Sequence, residues 1–257
     1  MRDAGPHRHP RQRVRSLVGP GQSLLTAGLV AVLLVVYQLF VTDLLNDRRQ
    51  EALSDRLQAQ WAQGRPWAPP AGGPADSAIE VPIGATFAVL HIPRLGSDYR
   101  RVVLEGTAEA QLAQGPGHYP GTAMPGQPGN VAIGGHRVGK GSPFLDLDAL
   151  RPGDPIVLET RDAWFVYRML GDPDTGDLLA DPSGIPGRQI VNPEDIEVIS
   201  VTPNRASDAS PSGAYLTLTT CHPRFSARQR LVIHAALNGV GLPKAGDPDG
   251  PDALHER

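Results

Sequence analysis

The sequence predicts a mainly β domain carried behind one N-terminal apolar helix, and three observations lead there. Runs such as Tyr215 to Cys221 and Leu231 to Leu237 are rich in β-branched, aromatic and aliphatic residues and hold no Gly or Pro, which suits pleated, half-buried strands. Between such runs, 29 glycines and 26 prolines in 257 residues punctuate the chain into short elements joined by turns. Ahead of them, Leu24 to Val41 runs 18 residues without a charge, about 27 Å as a helix and close to the roughly 30 Å hydrocarbon core of a bilayer.

From the N-terminus, Arg2, Arg8, Arg11, Arg13 and Arg15 precede the apolar run. Residues 1–23 are therefore expected as a basic cytoplasmic tail, residues 24–41 as a single transmembrane helix in the cell membrane, and the remainder outside the cell. The run is followed by TDLLNDRR and not by a small-residue cleavage site, which argues against a removed signal peptide. Residues 42–78 read as a stem. Leu44, Leu45, Leu53, Leu57 and Trp61 recur at helical spacing, and GRPWAPPAGGPADS (64–77) is a Pro/Gly-rich tether. The folded domain is expected over 79–240, and the polar, Gly/Pro-rich tail 241–257 is expected to be disordered. With a formal net charge of −3 and the basic residues crowded at one end, the body offers no basic face for nucleic acid.

Within the domain, strands are expected at 87–92, 99–104, 156–160, 163–170, 189–191 and 196–201, with another ending at His136. Short helical turns are expected at 108–113 and 142–150. Gly- and Pro-rich loops separate them at 115–128 and 171–187, and a Ser/Asp/Pro loop covers 204–213.

The only cysteine, Cys221, closes the first of the two apolar runs and is followed at once by His222 and Pro223, which places the thiol at the rim of a sheet. Period-two alternation puts Thr217, Thr219 and Cys221 on one face of the first strand and Arg230, Val232 and His234 on one face of the second. If the strands are neighbours, Cys221 and Arg230 meet. An arginine there favours the thiolate and can hold an oxyanion. A thiol nucleophile also needs a base, and NVAIGGHR (Asn130 to Arg137) delivers His136 from a strand end behind Gly134 and Gly135, which permit close approach. A single cysteine cannot cross-link within the chain. With no second cysteine and no ligand spacing among the histidines, no metal is expected.

TLTTC at Thr217 to Cys221, Arg230 nine positions on, and GHR at Gly135 to Arg137 resemble the sortase signature. The stretch GPGHYPGTAMPGQPGNVAIGGHR, Gly115 to Arg137, is similar to the class E sortases of high-GC Gram-positive bacteria. The likeness spans Ile79 to Asn238. It implies an eight-stranded sortase-type β-barrel and a membrane-anchored cysteine transpeptidase that cuts a C-terminal sorting signal between Thr and Gly. By that resemblance Cys221 is the nucleophile, His136 the acid/base and Arg230 the oxyanion or substrate-positioning residue. The implied partners are surface proteins bearing an LAxTG- or LPxTG-like signal and a peptidoglycan precursor amine. Tyr119, in the loop expected to line the signal groove, is the implied substrate contact, and the backbone beside Thr220 a further donor.

No cofactor is expected. Some sortases bind calcium in the loop corresponding to 171–187, and Asp172, Asp174 and Asp177 invite that reading. Their spacing lacks the glutamate and register of an EF-hand, however, and Pro173 restricts the backbone. A papain-like protease would need a C-G-x-C-W context that the sequence lacks. A pilus-assembling sortase would carry an N-terminal Asp-Pro-aromatic lid, which is not evident. A non-enzymatic β-barrel surface protein would not require His136, Cys221 and Arg230 to converge.

Overall fold

The computed structural model describes residues 18–37, 42–64, 81–206 and 210–256. Most of the basic tail, the end of the expected span at residues 38–41 and nearly all of the Pro/Gly-rich tether lie outside the described residues. The chain divides into two units, residues 1–41 and 42–257. In the first, helix α1 (Val18–Val36) leaves Leu24, Leu25, Leu29, Val30, Val32, Leu33 and Leu34 exposed. Among the described residues no helix is long and apolar enough to cross a membrane.

The second unit opens with helix α2 (Thr42–Ala62) and continues through β1 (Thr86–His91), β2 (Arg100–Glu105), the short helix α3 (Glu109–Leu112), β3 (Gly117–His118) and β4 (Gly129–Gly134). It then runs through β5 (Pro155–Glu159), β6 (Ala163–Met169), β7 (Arg188–Val191), β8 (Ala214–His222), β9 (Gln229–Leu237) and β10 (Leu242–Pro243). The strand order is β10-β6-β5-β1-β2-β3-β4-β8-β9-β7, and β6 also pairs with β9. That pairing, Tyr167↔Leu237 to Met169↔Ala235, closes eight strands into a barrel. β7 and β10 are short additions outside the ring. β2–β3 and β4–β8 are parallel. The second of these needs a long crossover, which here carries β5, β6 and β7.

Alternation decides what faces the barrel interior. Val131 and Ile133 of β4, Leu216 and Leu218 of β8, and Leu231, Ile233 and Ala235 of β9 join one buried cluster with Phe87, Phe144 and Tyr167. The intervening residues of β4, β8 and β9 point outward, and there a polar chain runs across these three strands and on to β7. Asn130 Nδ2 donates to Ser200 O at 3.0 Å, Thr217 Oγ1 donates to Asn130 Oδ1 at 2.8 Å, Thr217 Oγ1 lies 2.9 Å from His234 Nδ1, and Gln189 Nε2 lies 2.9 Å from His234 Nε2.

Two segments differ from expectation. Residues 196–201, read as a strand from their β-branched composition, form a 3-10 turn at Ile196–Ile199 instead. Asn130 takes the carbonyls of Val198 and Ser200 through its side-chain amide, so this stretch docks on the barrel by side chains and joins no ladder. The tail, expected to be disordered from its Gly and Pro content, is ordered. It pairs Leu242 with Trp164, turns through Asp252–His255 and buries Ala253 against Val157, Trp164 and Val166. Composition recorded its turns but not the apolar side chains between them.

Candidate active site

The strands β4, β8 and β9 are consecutive in the barrel, and each delivers one of the three expected catalytic side chains. Cys221 is the direct register partner of Arg230 across the β8–β9 ladder, a position at which facing Cβ atoms lie about 4.5–5.5 Å apart. On the other side of β8, the parallel register pairs Gly134 with Thr219, and Gly135 N donates to Thr219 O at 3.0 Å. Two residues further along each strand are His136 and Cys221. The fold therefore brings His136, Cys221 and Arg230 to one rim.

Cys221 is a free, half-buried thiol. His136 is half-buried, and burial lowers its pKa below the usual imidazole value. Its Nε2 has no hydrogen-bond partner and lies 3.7 Å from the Glu109 carboxylate at the start of α3, which is also paired with Lys140. Arg230 donates from Nη1 to Ala227 O at 3.0 Å and Gln229 O at 3.1 Å. Among the described residues no carboxylate pairs with it, so its remaining donors are not committed to an ion pair. The rim thus holds a thiol, an imidazole and a guanidinium in one strip, groups of the kinds that acyl transfer through sulfur would use.

Of the two glycines before His136, Gly135 is sterically required and Gly134 sits in tight contact. A Cβ at Gly135 would lie 2.6 Å from the Phe144 ring, and one at Gly134 would lie 3.3 Å from the Tyr119 hydroxyl. Tyr119 consequently lies over Gly134, with its hydroxyl 3.0 Å from Thr219 Oγ1, on the face of β8 that carries Cys221. Thr220 is placed differently. Its side chain is buried on the opposite face, where Oγ1 donates to Gly135 O at 2.8 Å, so only its backbone is near the rim. His118 is also withdrawn from the cleft, buried with Nδ1 2.7 Å from Glu105 and Nε2 2.8 Å from Thr122.

The loop 171–187 uses its carboxylates on itself. Asp172 accepts from Asp174 N at 2.9 Å and from the Thr175 hydroxyl at 2.7 Å, Asp177 accepts from Leu179 N at 2.9 Å, and Asp181 accepts from Ser183 N at 2.8 Å. Among the described residues no three His, Cys, Asp or Glu side chains cluster as a metal site. Two larger hollows, one between α2 and the β1–β2 end beside Gln50 and Tyr99, the other beneath Pro173 and Asp174, contain neither Cys221 nor His136.

Arg137 stands in the sequence as the last residue of GHR, with no partner marked for it. Its guanidinium is buried and reaches Leu145 O, His222 Nδ1 and Asp148. An arginine directly after a strand-end histidine was the available signal, but its partners are 8 to 85 positions away.

A sortase domain model matches residues 90–238. Sortase SrtE1 of Streptomyces coelicolor is 32% identical over 236 residues, 89% of this chain and 59% of the relative, so the chain spans about three-fifths of that relative's length. Its solved structure, with a tripeptide in the active site, superposes with a TM-score of 0.54 at 32% identity, covering 66% of this chain and 97% of that one. The SrtF sortase of Corynebacterium diphtheriae gives a TM-score of 0.63 at 37% identity over 72% of this chain and 99% of that one. Sortase E of Streptomyces avermitilis gives 0.55 at 39% identity over 68% and 99%. A family model over more than half of the chain, and solved class E sortase domains of this identity covered nearly end to end, place it: this chain belongs to the sortase family, among the class E sortases.

Proposed function

We propose that this sortase is a membrane-anchored cysteine transpeptidase acting on an LAxTG- or LPxTG-like C-terminal sorting signal. One observation carries the reading: the β4-β8-β9 register sets Cys221 opposite Arg230 and beside the strand end bearing His136. The Cys221 sulfur attacks the Thr carbonyl carbon. As the tetrahedral intermediate collapses, the C–N bond to Gly breaks, and the imidazolium of His136 gives its proton to the leaving amine. The acceptor amine, a peptidoglycan precursor group, then attacks the thioester carbonyl, loses its proton to His136 and releases Cys221. Arg230 supports the oxyanion in both steps. The tripeptide held in the active site of the S. coelicolor relative supports a peptide in this strip.

The anchor is supported by the arginine-rich N-terminus, the uncharged run from Leu24 to Val41 and the exposed leucines and valines of α1, which lipid would cover. This orientation puts the N-terminus in the cytoplasm and the barrel outside. The test is incubation of the protein with LAxTG- and LPxTG-like peptides and an amine, read by mass spectrometry. Cleavage between Thr and Gly with transfer to the amine is expected. Cys221→Ala should abolish both while leaving the melting profile unchanged. His136→Ala and Arg230→Ala should each lose on the order of a hundredfold or more. Appreciable turnover by Cys221→Ala would remove the nucleophile assignment.

A further inference from the structure

Arg137 is 3% exposed and follows His136 directly. Its guanidinium is held in three directions: Nε donates to Leu145 O at 3.3 Å, Nη1 donates to His222 Nδ1 at 3.1 Å, and Nη2 meets the Asp148 carboxylate at 2.8 Å. The Asp148 side chain is 44% exposed, and an ion pair open to water on one side adds little stability. The bond to His222 has a more specific consequence, because His222 is the residue directly after Cys221. The β4–β8 register ends at Gly134↔Thr219, so the side-by-side placement of His136 and Cys221 falls beyond the ladder. Arg137 and His222 join the two chains at that point.

The turn that receives the guanidinium also braces His136. Phe144 N donates to His136 O at 3.1 Å, and the Phe144 ring fills the space over Gly135. Arg224, in the loop after Cys221, reaches Asp146 at 2.7 Å and Asp148 at 3.5 Å. Burial pushes the Asp148 carboxyl upward most, but Arg137, a backbone hydrogen bond and Arg224 together hold it below the usual carboxylate range. It is therefore charged whenever the enzyme works near neutral pH.

We propose that Arg137 is a positioning residue of this sortase: its planar fork clamps His222 and the 144–148 turn, and so holds His136 and Cys221 together beyond the end of their ladder. The proposal rests on the reading of Cys221 as nucleophile and His136 as acid/base. A lysine would keep the charge but could not span three acceptors in fixed directions.

The test uses the full chain with a sorting-signal peptide and an amine, comparing Arg137→Met and Arg137→Lys with wild type. Besides kcat and KM, it follows the pH dependence of Cys221 alkylation by iodoacetamide without substrate. Both variants should lose on the order of tenfold to a hundredfold in kcat, with KM changed by less than about twofold. In Arg137→Met the alkylation midpoint should differ from that of wild type, because His136 and Cys221 are no longer held side by side. Wild-type kcat and an unmoved midpoint in Arg137→Met would overturn the proposal, as would wild-type kcat in Arg137→Lys. Should Arg137→Met fail to fold, His222→Ala, which leaves the Arg137–Asp148 pair in place, decides. A kcat loss of the same order supports the clamp, and wild-type kcat overturns it. Cys221→Ala, run alongside, separates the two failures. Turnover there removes the underlying reading and the clamp with it, whereas an inactive Cys221→Ala beside a fully active Arg137→Met removes the clamp alone.

Discussion

Tyr119 and Thr219 share a 3.0 Å hydrogen bond on the face of β8 that carries Cys221, and the phenol oxygen keeps a lone pair able to accept an N–H from an extended signal peptide. Alanine at the second signal position has that N–H and proline does not. A hydrogen bond left unmade at such a site costs about 1–3 kcal/mol, so the wild-type enzyme should prefer LAxTG over LPxTG by roughly fivefold to over a hundredfold in kcat/KM. Tyr119→Phe should remove most of the preference, and equal wild-type rates on the two peptides would refute it. His234 gives a second prediction at this scale. Thr217 spends its proton on Asn130 Oδ1, so His234 Nδ1 carries a hydrogen and Nε2 accepts from Gln189, which requires the neutral ring. Burial lowers its pKa to about 3, against about 6.5 in an unfolded chain. Between those values the unfolded state binds the extra proton, so this contribution is complete above about pH 6.5 and is lost as pH falls toward 3. Urea unfolding of His234→Gln should therefore show a shallower decline from pH 6.5 to 4 than wild type, by up to about 1.4 kcal/mol per pH unit. Parallel curves would show that the ring is charged in the fold.

Helix α2 belongs to the same unit as the barrel, and its contacts explain why. Leu57 is 1% exposed against Val89 of β1 and Val102 of β2, with Leu53 and Trp61 beside it. Gln50 accepts from Val102 N at 2.7 Å, and Asn46 donates to Lys140 O at 2.8 Å, in the loop that follows His136. Leu57→Ala should destabilise the protein by about 2–5 kcal/mol, the range for a leucine removed from a packed site. A loss under about 0.5 kcal/mol in chemical denaturation would mean that the stem does not dock. The leucine and tryptophan spacing marked this helix in the sequence, and the absence of Gly and Pro marked β8 and β9 together with the Cys221–Arg230 pairing. Residues 196–201 misled because β propensity measures fit to a pleated surface and not the presence of a free partner edge. The clamp by Arg137 was illegible for a related reason: a side chain's partners depend on which distant turn the barrel brings to it.

Closing the barrel leaves β5 and β6 with an outer surface that neither strand covers, and the two ends of the second unit meet there. Lys244 of the tail sets its ammonium 4.4 Å from the Trp61 ring of α2 and 4.8 Å from the Trp164 ring of β6, and pairs with Glu159 of β5. Trp164 Nε1 donates to Asp247 O at 3.1 Å, Ala253 closes over Val157 and Val166, and Arg168 holds Glu256 at 2.9 Å. The tail therefore acts as a strap between the stem helix and the barrel wall, and among the described residues none of its side-chain hydrogen bonds, ion pairs or cation–π contacts reaches His136, Cys221 or Arg230. Ending the chain after Val240 should lower stability by roughly 1–3 kcal/mol, as loss of a buried apolar contact does, while kcat on a signal peptide at low temperature stays that of the intact chain. The cation–π part is separable. In a double-mutant cycle on the intact chain, Lys244→Ala and Trp61→Ala should couple by about 0.5–2 kcal/mol, and in the shortened chain, which lacks Lys244, Trp61→Ala should cost correspondingly less than it does in the intact chain. An unchanged unfolding midpoint after truncation would show that the strap contributes nothing, and that the tail's composition, poor in apolar residues and rich in turns, had described it correctly.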